Sequence, residues 1–227
     1  MSRLASFRGP STPTSSPVRS APQSTPASPS RAQAVESTYH RKVRSILYDI
    51  RTVTENWEDI VLVDGLKAAK SLVDTRTDLD NELSSLPPGT QPQYPIVGPK
   101  LNIAEKRIAE LDGVIVKLRK QFQKLNTLVE NMEGVLFEAS KAKGWKWCRD
   151  PIVPIASSIP DILVPYHRSL DMHIQIVSQL RSHSVSFETS RTAITNWVAQ
   201  PHLEEGSWEA QWEDLCAVEI ERWGNTK

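Results

Sequence analysis

The feature that most constrains the fold is a long apolar repeat in the middle of the chain. Between residues 101 and 136, apolar side chains recur at alternating spacings of three and four. All eleven positions of this seam are apolar: Leu101, Ala104, Ile108, Leu111, Ile115, Leu118, Phe122, Leu125, Val129, Met132 and Leu136. This spacing places one stripe along an α-helix. The 36 residues predict a rod of about 54 Å, at ~1.5 Å per residue.

The stripe is wider than a two-stranded coiled coil needs. Read as heptads, the seam holds Ile and Val among its a positions and mainly Leu at d, which suits pairing of two helices. However, Val114, Leu128 and Val135 fall at g positions, which a free dimer usually fills with charged residues. We therefore expect this helix to pack against the first helix of the chain and against a further element.

A second apolar stripe precedes the seam and changes phase part-way along. The first part is helical in spacing, and the phase slips at Asp64-Gly65 before a similar spacing resumes. The pattern predicts one kinked helix or two helices, ended by Leu86-Pro87-Pro88-Gly89, and a proline-rich loop through Pro99. The apolar positions are Val43, Ile46, Ile50, Val53, Trp57 and Ile60 before the slip, and Leu62, Leu66, Ala69 and Val73 after it.

The last third of the chain predicts a long connection and further helices. Four prolines between apolar residues mark residues 145–165 as a connection that lies across the bundle or a partner. A helix follows Pro165, and Gln200-Pro201 stops it. Ser207 is a candidate N-cap for a closing helix with Trp208 and Trp212. The apolar face of the intervening region is expected at Leu170, Ile174, Val177 and Leu180, and further on at Phe187, Ile194 and Val198.

The N-terminal segment, residues 1–38, has a different composition. Twenty of its 38 residues are Ser, Thr or Pro, and large apolar residues are nearly absent after Phe7. Such a segment cannot bury enough surface to offset its ordering entropy, so we expect it to be disordered. Residues 39–227 are then the helical coiled-coil domain. The predicted fold class is all-α: an elongated helical bundle or coiled coil of four to five helices with a disordered N-terminal tail.

This tail contains four candidate phosphorylation sites, because Thr12, Ser16, Thr25 and Ser28 each precede a proline. Ser16 and Ser28 also have an arginine at the third following position, the pattern that cyclin-dependent kinases prefer. Each phosphate adds about −1.5 to −2 charges, so two would cancel or invert the net charge of the tail. A Ser/Pro-rich spacer with chance matches and an Arg-rich mitochondrial transit peptide remain alternative interpretations.

Charge and composition exclude several classes of protein. Lys plus Arg and Asp plus Glu both total 27, so net charge gives no argument for direct binding to nucleic acid or an anionic membrane. The two cysteines, Cys148 and Cys216, exclude a disulfide scaffold. No apolar run approaches the ~20 residues of a membrane span. With no Gly-rich phosphate loop and no metal-ligand pair of histidines, we expect no catalytic residue, cofactor or metal, and hence no enzyme.

Two short strings resemble a known family. One is Asn56-Trp57-Glu58-Asp59 followed by Asp64-Gly65-Leu66, and the other runs from Asn196-Trp197 through Gln200-Pro201 to Glu204. With the heptad helix between them, the chain is similar to the cyclin-dependent kinase 2-interacting protein family (CINP). The resemblance implies a non-enzymatic adaptor of DNA replication and genome maintenance, located in the nucleus and also in the cytoplasm. It also implies Trp197, Gln200 and Pro201 as a shared structural or contact turn.

The resemblance implies protein partners as well: a cyclin-dependent kinase or another replication kinase, and an AAA+ ATPase assembly in ribosome biogenesis. Tryptophan is enriched at interface hot spots, so Trp145 and Trp147 are further candidates for partner contact. Two alternatives remain open. One is a structural coiled-coil subunit of a kinetochore or tethering complex with a kinase-regulated tail. The other is a mitochondrial helical protein.

Overall fold

The computed structural model describes residues 38–87, 89–91, 94–143, 158–204, 208–217 and 220. These residues belong to a compact unit that spans Glu36–Lys227. The described residues contain helices and turns but no strand. The prediction of an all-α helical bundle is therefore confirmed. The predicted disordered tail lies outside the described residues except for Thr38, where the first helix begins.

The first stripe forms a rod with a π-helical segment at its centre. Helix α1 covers Thr38–Asp59, the π-helix covers Ile60–Gly65, and α2 covers Leu66–Ser84. A π-helix bonds residues i and i+5, so it inserts about one residue relative to an α-helix. This insertion is the phase slip that the sequence predicts near Gly65. It keeps one face buried along the whole rod: Val43, Leu47, Ile50, Val53, Trp57, Val61, Gly65, Ala68, Ala69, Leu72 and Val73.

The seam lies in helix α3, which covers Tyr94–Lys143 and has 50 residues. At ~1.5 Å per residue this helix is about 75 Å long, longer than the seam alone predicts. The prediction of a loop through Pro99 is wrong, because the helix already begins at Tyr94. Pro95 lies in the first turn, where backbone N–H groups have no helical acceptor and a proline costs little. Pro99 does remove one internal hydrogen bond, yet the helix continues through it.

Three ion pairs show that α3 runs antiparallel to the rod. They join Lys42 to Glu138, Asp64 to Lys117, and Glu82 to Lys100. The residue numbers on α3 therefore fall as the residue numbers along the rod rise. These pairs are partly exposed, and each contributes ~1 kcal/mol or less. The buried seam residues hold the pair together instead: Ala104, Leu111, Ile115, Leu118, Leu125, Val129 and Met132.

The expectation of a third packing element is confirmed. A 3₁₀ turn at Ile159–Ile162 leads into helix α4, Leu163–Arg181, which packs along α3. Val114, one of the extra apolar positions of the stripe, is buried. Helix α4 begins two residues before Pro165 rather than after it, because proline is tolerated in the first helical turn. The apolar connection of residues 144–157 lies outside the described part of the chain.

Helix α5, Phe187–Ala199, returns along α2 and is separate from α4. The Ser186 side chain caps it by accepting a hydrogen bond from the Thr189 N–H at 3.1 Å. The predicted apolar face is confirmed for Leu170, Val177 and Leu180, and Ile174 and Ile194 are partly buried against the core, but it is wrong at two positions. Phe187 and Val198 are exposed, and α5 instead buries Ser190, Ala193 and Trp197. A single turn at Pro201–Glu204 and helix α6, Trp208–Cys216, complete the described elements. Ser207, the candidate cap of α6, lies outside them.

Candidate functional site

Two tryptophans join the end of α1 and the π-helix to the end of α5. The Trp57 Nε1–H donates to Gln200 Oε1 at 3.2 Å, across 143 positions of sequence. The Trp197 Nε1–H donates to the Val61 carbonyl at 3.0 Å, across 136 positions. Both hydrogen bonds are buried, so each satisfies an indole N–H that would otherwise be costly to remove from water. We call the cluster around these bonds the tryptophan junction; it comprises Trp57, Val61, Gly65, Tyr166, His173, Trp197 and Gln200.

Trp197 lies so close to the π-helix that only glycine fits at position 65. A Cβ added at Gly65 would lie 2.3 Å from Trp197 Cζ2 and 3.2 Å from Nε1. The backbone of Gly65 is ordinary helix, at φ −69° and ψ −46°. Glycine is therefore needed here for space and not for its conformational freedom. The π-helix and Gly65 together form the surface on which the indole lies.

Gln200 forms the turn that ends α5. Its backbone is left-handed, at φ 41° and ψ 52°, a conformation that costs energy for a residue with a Cβ. The Gln200 N–H bonds the Asn196 carbonyl at 3.2 Å, which closes the helix end. Pro201, which follows, begins a separate turn. Because the amide side chain reaches Trp57 from this strained position, the turn also fixes where α5 meets α1.

The other two members, Tyr166 and His173, come from α4. The rings of Trp57 and Tyr166 meet edge to face, with centroids 5.1 Å apart and an interplanar angle of 85°. The rings of His173 and Trp197 meet at 89° with centroids 4.5 Å apart. These perpendicular arrangements are the favoured geometries of aromatic pairs. The junction thus ties α1, the π-helix, α4 and α5 to one another.

His173 is an ionisable side chain of the junction whose pKa is shifted. Burial lowers its pKa below the ordinary value of 6.5, and hydrogen bonding to the backbone of Ser169 and of Trp197 partly opposes that effect. Nδ1 lies 2.6 Å from the Ser169 carbonyl oxygen, an acceptor, so Nδ1 carries the hydrogen of the neutral ring. Nε2 is buried, and none of the described groups forms a hydrogen bond of good geometry with it.

The sequence-predicted site residues have different outcomes. Trp197 is 0% exposed and Gln200 7%, while Pro201 is half-buried. Burial therefore makes Trp197 and Gln200 structural members of the turn, and their side chains offer no surface to a partner. Trp145, Trp147 and the phosphorylation candidates Thr12, Ser16, Thr25 and Ser28 lie outside the described residues. Their roles stay predictions.

Sequence reasoning did not assign His173, Gly65 or Tyr166 to a common site. His173 continues the α4 stripe at three residues after Leu170 and four before Val177, so its spacing already indicated a buried position. Gly65 stands at the phase slip, which indicated an irregular turn but not a close contact. The signal for Tyr166 is weaker, since it only follows the proline that was expected to precede the helix.

In the described part of the chain, Trp57, Val61, His173 and Trp197 are at most 1% exposed, and both indole N–H groups bond to acceptors inside the junction. No group of three or more metal-ligating side chains occurs among the residues that the structure describes. Within the same residues, no helix has the length and apolarity needed to cross a membrane. An open surface depression of about 300 Å³ lies elsewhere, between α3 and the start of α4; it is lined by Phe122, Leu163, Val164, His167 and Arg168. Neither protein-family models nor curated proteins give a match to this chain.

Proposed function

We propose that this chain is a non-enzymatic adaptor subunit of the kind that its resemblance to the cyclin-dependent kinase 2-interacting protein family implies. In this proposal it connects a cyclin-dependent kinase or another replication kinase with an AAA+ ATPase assembly of ribosome biogenesis, in the nucleus and also in the cytoplasm. The observation that carries the proposal is the tryptophan junction. The two strings that resemble the family are the same two strings that bond to each other across 136 and 143 positions.

This contact supports the proposal because the two strings, which are far apart in the sequence, lie together in the fold. Here each string supplies one indole, and each indole donates to an acceptor at or beside the other string. A family pattern made of separated strings is what a long-range structural junction produces.

Apolar side chains exposed beside the junction are the proposed contact surface. Leu62 and Val63 point outward from the π-helix, and Val198 points outward from α5 next to Trp197. The buried junction holds these two elements together, so it also holds the exposed residues in a fixed arrangement. Rigid presentation of apolar residues is the requirement for an adaptor surface that must bind a partner without catalysis.

A second candidate function has an observation of its own. Val116 and Phe137 are 64% and 61% exposed, and they lie 21 positions apart on α3. Twenty-one residues are three heptads, so both side chains occupy the same position of the repeat. Pairing of that outer face with another helical chain is the arrangement expected of a structural coiled-coil subunit of a kinetochore or tethering complex.

Affinity purification of the full-length chain from cells, with mass spectrometry of stoichiometric partners, separates the two functions. The same purification is repeated with two matched variants, Val63→Glu beside the junction and Val116→Glu on the outer face of α3. Both valines are more than 60% exposed. The adaptor proposal expects an AAA+ ATPase and replication kinases, lost with Val63→Glu and kept with Val116→Glu. Recovery of coiled-coil subunits alone, lost with Val116→Glu, would overturn it in favour of the second function. If the unmodified chain and both variants all recover the ATPase, the proposed function stands but the contact surface lies elsewhere. Trp145 and Trp147 would then be the next residues to replace.

A further inference from the structure

Helix α5 is attached to the bundle by very few buried side chains. It has 13 residues and buries Ser190, Ala193 and Trp197, of which only the tryptophan is large. It is bounded by the non-helical residues 182–186 on one side and by the left-handed Gln200 on the other. Elements with few buried apolar contacts are the first to open in the native state. The docking of α5 therefore depends on the Trp197 indole, with the partly buried Ile194 and the Gln200 side chain beside it.

His173 lies directly against that indole. The imidazole is 0% exposed, and its ring centroid is 4.5 Å from that of Trp197. Since Nδ1 already carries a hydrogen toward the Ser169 carbonyl, a second proton must go to Nε2. There it would create a buried cation, and hydrogen bonding to the Trp197 backbone offsets the effect of burial only in part. Burial of an incompletely compensated charge is unfavourable, and withdrawal of α5 would let water reach the ring.

Among the residues that the structure describes, no ionisable side chain compensates this charge. Burial lowers the pKa of His173, and the backbone of Ser169 and of Trp197 raises it in part. Two of the pairs already formed are His167 with Asp171 on α4 and Asp64 with Lys117. The charged and titratable groups of the packed elements include Tyr166, His167, Arg168, Asp171 and Arg181 on α4, Asp64 on the π-helix, Lys67, Lys70 and Asp74 on α2, Asp112 and Lys117 on α3, Glu188 and Arg191 on α5, and His202 in the following turn.

We propose that α5 is a pH-sensitive latch, which docks on the π-helix and α4 while His173 is neutral and releases when the His173 ring takes up a proton. In the released state the ring is in water, where an imidazole has a pKa of about 6.5. If the docked state excludes the proton, lowering the pH from 7.5 to 5.5 raises the released population by up to about tenfold. Release also removes Trp197 from the Val61 carbonyl and so frees the surface of the π-helix.

Hydrogen exchange of the full-length chain, followed by mass spectrometry at pH 7.5, 6.5 and 5.5, tests the latch. Rates are divided by the intrinsic rate at each pH, so that only changes in opening remain. We expect the protection of residues 187–199 to fall by up to about tenfold across this range, while central α3 keeps its protection. The variant His173→Phe retains an aromatic ring against Trp197 and should give a flat profile. The variant His183→Gln removes an exposed histidine of the loop before α5 and should behave as the unmodified chain.

Three results would overturn the proposal. A flat or rising profile in the unmodified chain, as an attraction between the imidazolium and the indole would produce, contradicts release. An equal loss of protection in α3 means that the whole bundle opens and α5 is not a latch. The same fall in His173→Phe assigns the titration to another group. If His173→Phe does not fold, the comparison of α5 with α3 in the unmodified chain still decides between the latch and global opening.

Discussion

Replacement of Gly65 by alanine tests the geometry of the tryptophan junction most directly. Alanine normally stabilises a helical position relative to glycine by ~1 kcal/mol. Gly65 has ordinary helical dihedral angles, so its backbone would accept the methyl group without strain. Any loss of stability must therefore come from what the new Cβ touches. The structure places that atom 2.3 Å from Trp197 Cζ2, well inside the contact distance of ~3.5–4.0 Å for two carbon atoms.

The magnitude follows from what the indole must give up. Trp197 has to retreat by about 1 Å or more, and overpacking of this kind in a core costs ~1–3 kcal/mol. The same movement breaks the 3.0 Å bond from Nε1 to the Val61 carbonyl, and a buried donor left without a partner costs a further ~1–3 kcal/mol. After the gain in helix propensity of ~1 kcal/mol, we expect Gly65→Ala to lower the free energy of unfolding by about 3 kcal/mol. Complete loss of Trp197 packing, worth ~3–5 kcal/mol, is the upper limit.

Urea denaturation followed by circular dichroism measures this change, with Gly134→Ala as the matched control. Gly134 is also helical and exposed, and an added Cβ there has no neighbour within 4 Å. We expect Gly134→Ala to raise the free energy of unfolding by ~0.5–1 kcal/mol with an unchanged m-value. The two glycine-to-alanine changes should thus have opposite signs. If Gly65→Ala stabilises the chain as much as the control does, the close approach of Trp197 to the π-helix is wrong.

Three further changes test other parts of the fold by the same denaturation assay. Trp57→Phe leaves Gln200 Oε1 without its indole donor and should cost ~1–3 kcal/mol; no loss would mean that this bond does not hold the α5 turn. Leu118→Ala removes a fully buried seam residue and should cost ~2–5 kcal/mol, whereas exposed Val116→Ala should stay within ~0.5 kcal/mol. Because burial lowers the pKa of His173, the unfolded chain binds a proton below about pH 6.5 that the native chain does not. This group should therefore reduce stability as the pH falls through 6.5, by at most ~1.4 kcal/mol per pH unit, and His173→Phe should remove that contribution.

Periodicity predicted the parts of this fold in which a continuous apolar stripe is buried. The seam of α3 is the best example, since its spacing and its extra width both correspond to observed packing on the rod and on α4. The phase slip near Gly65 was also visible, although the spacing alone did not reveal a π-helix. The π-helix is required because its extra residue keeps the apolar faces of both α1 and α2 turned toward α3.

The errors arose where a local rule competes with the tertiary environment. Prolines predicted a loop before α3, but Pro95 lies in a first turn that tolerates it. In α5, Phe187, Ile194 and Val198 were predicted to be buried, but only Ile194 packs against the core. The buried face consists of Ser190, Ala193 and Trp197. Small residues permit two helices to approach closely. A face of small residues around one tryptophan can therefore be buried even though its hydrophobicity is low. A hydropathy pattern does not contain that information.

The junction itself shows how far physical reasoning from a sequence extends. The stripe of α1 predicts that Trp57 is buried, and a buried indole N–H requires an acceptor. The sequence therefore implied that some polar group enters the core at this level of the rod. It could not identify Gln200 as that group, because the contact spans 143 positions and depends on a left-handed turn at its far end.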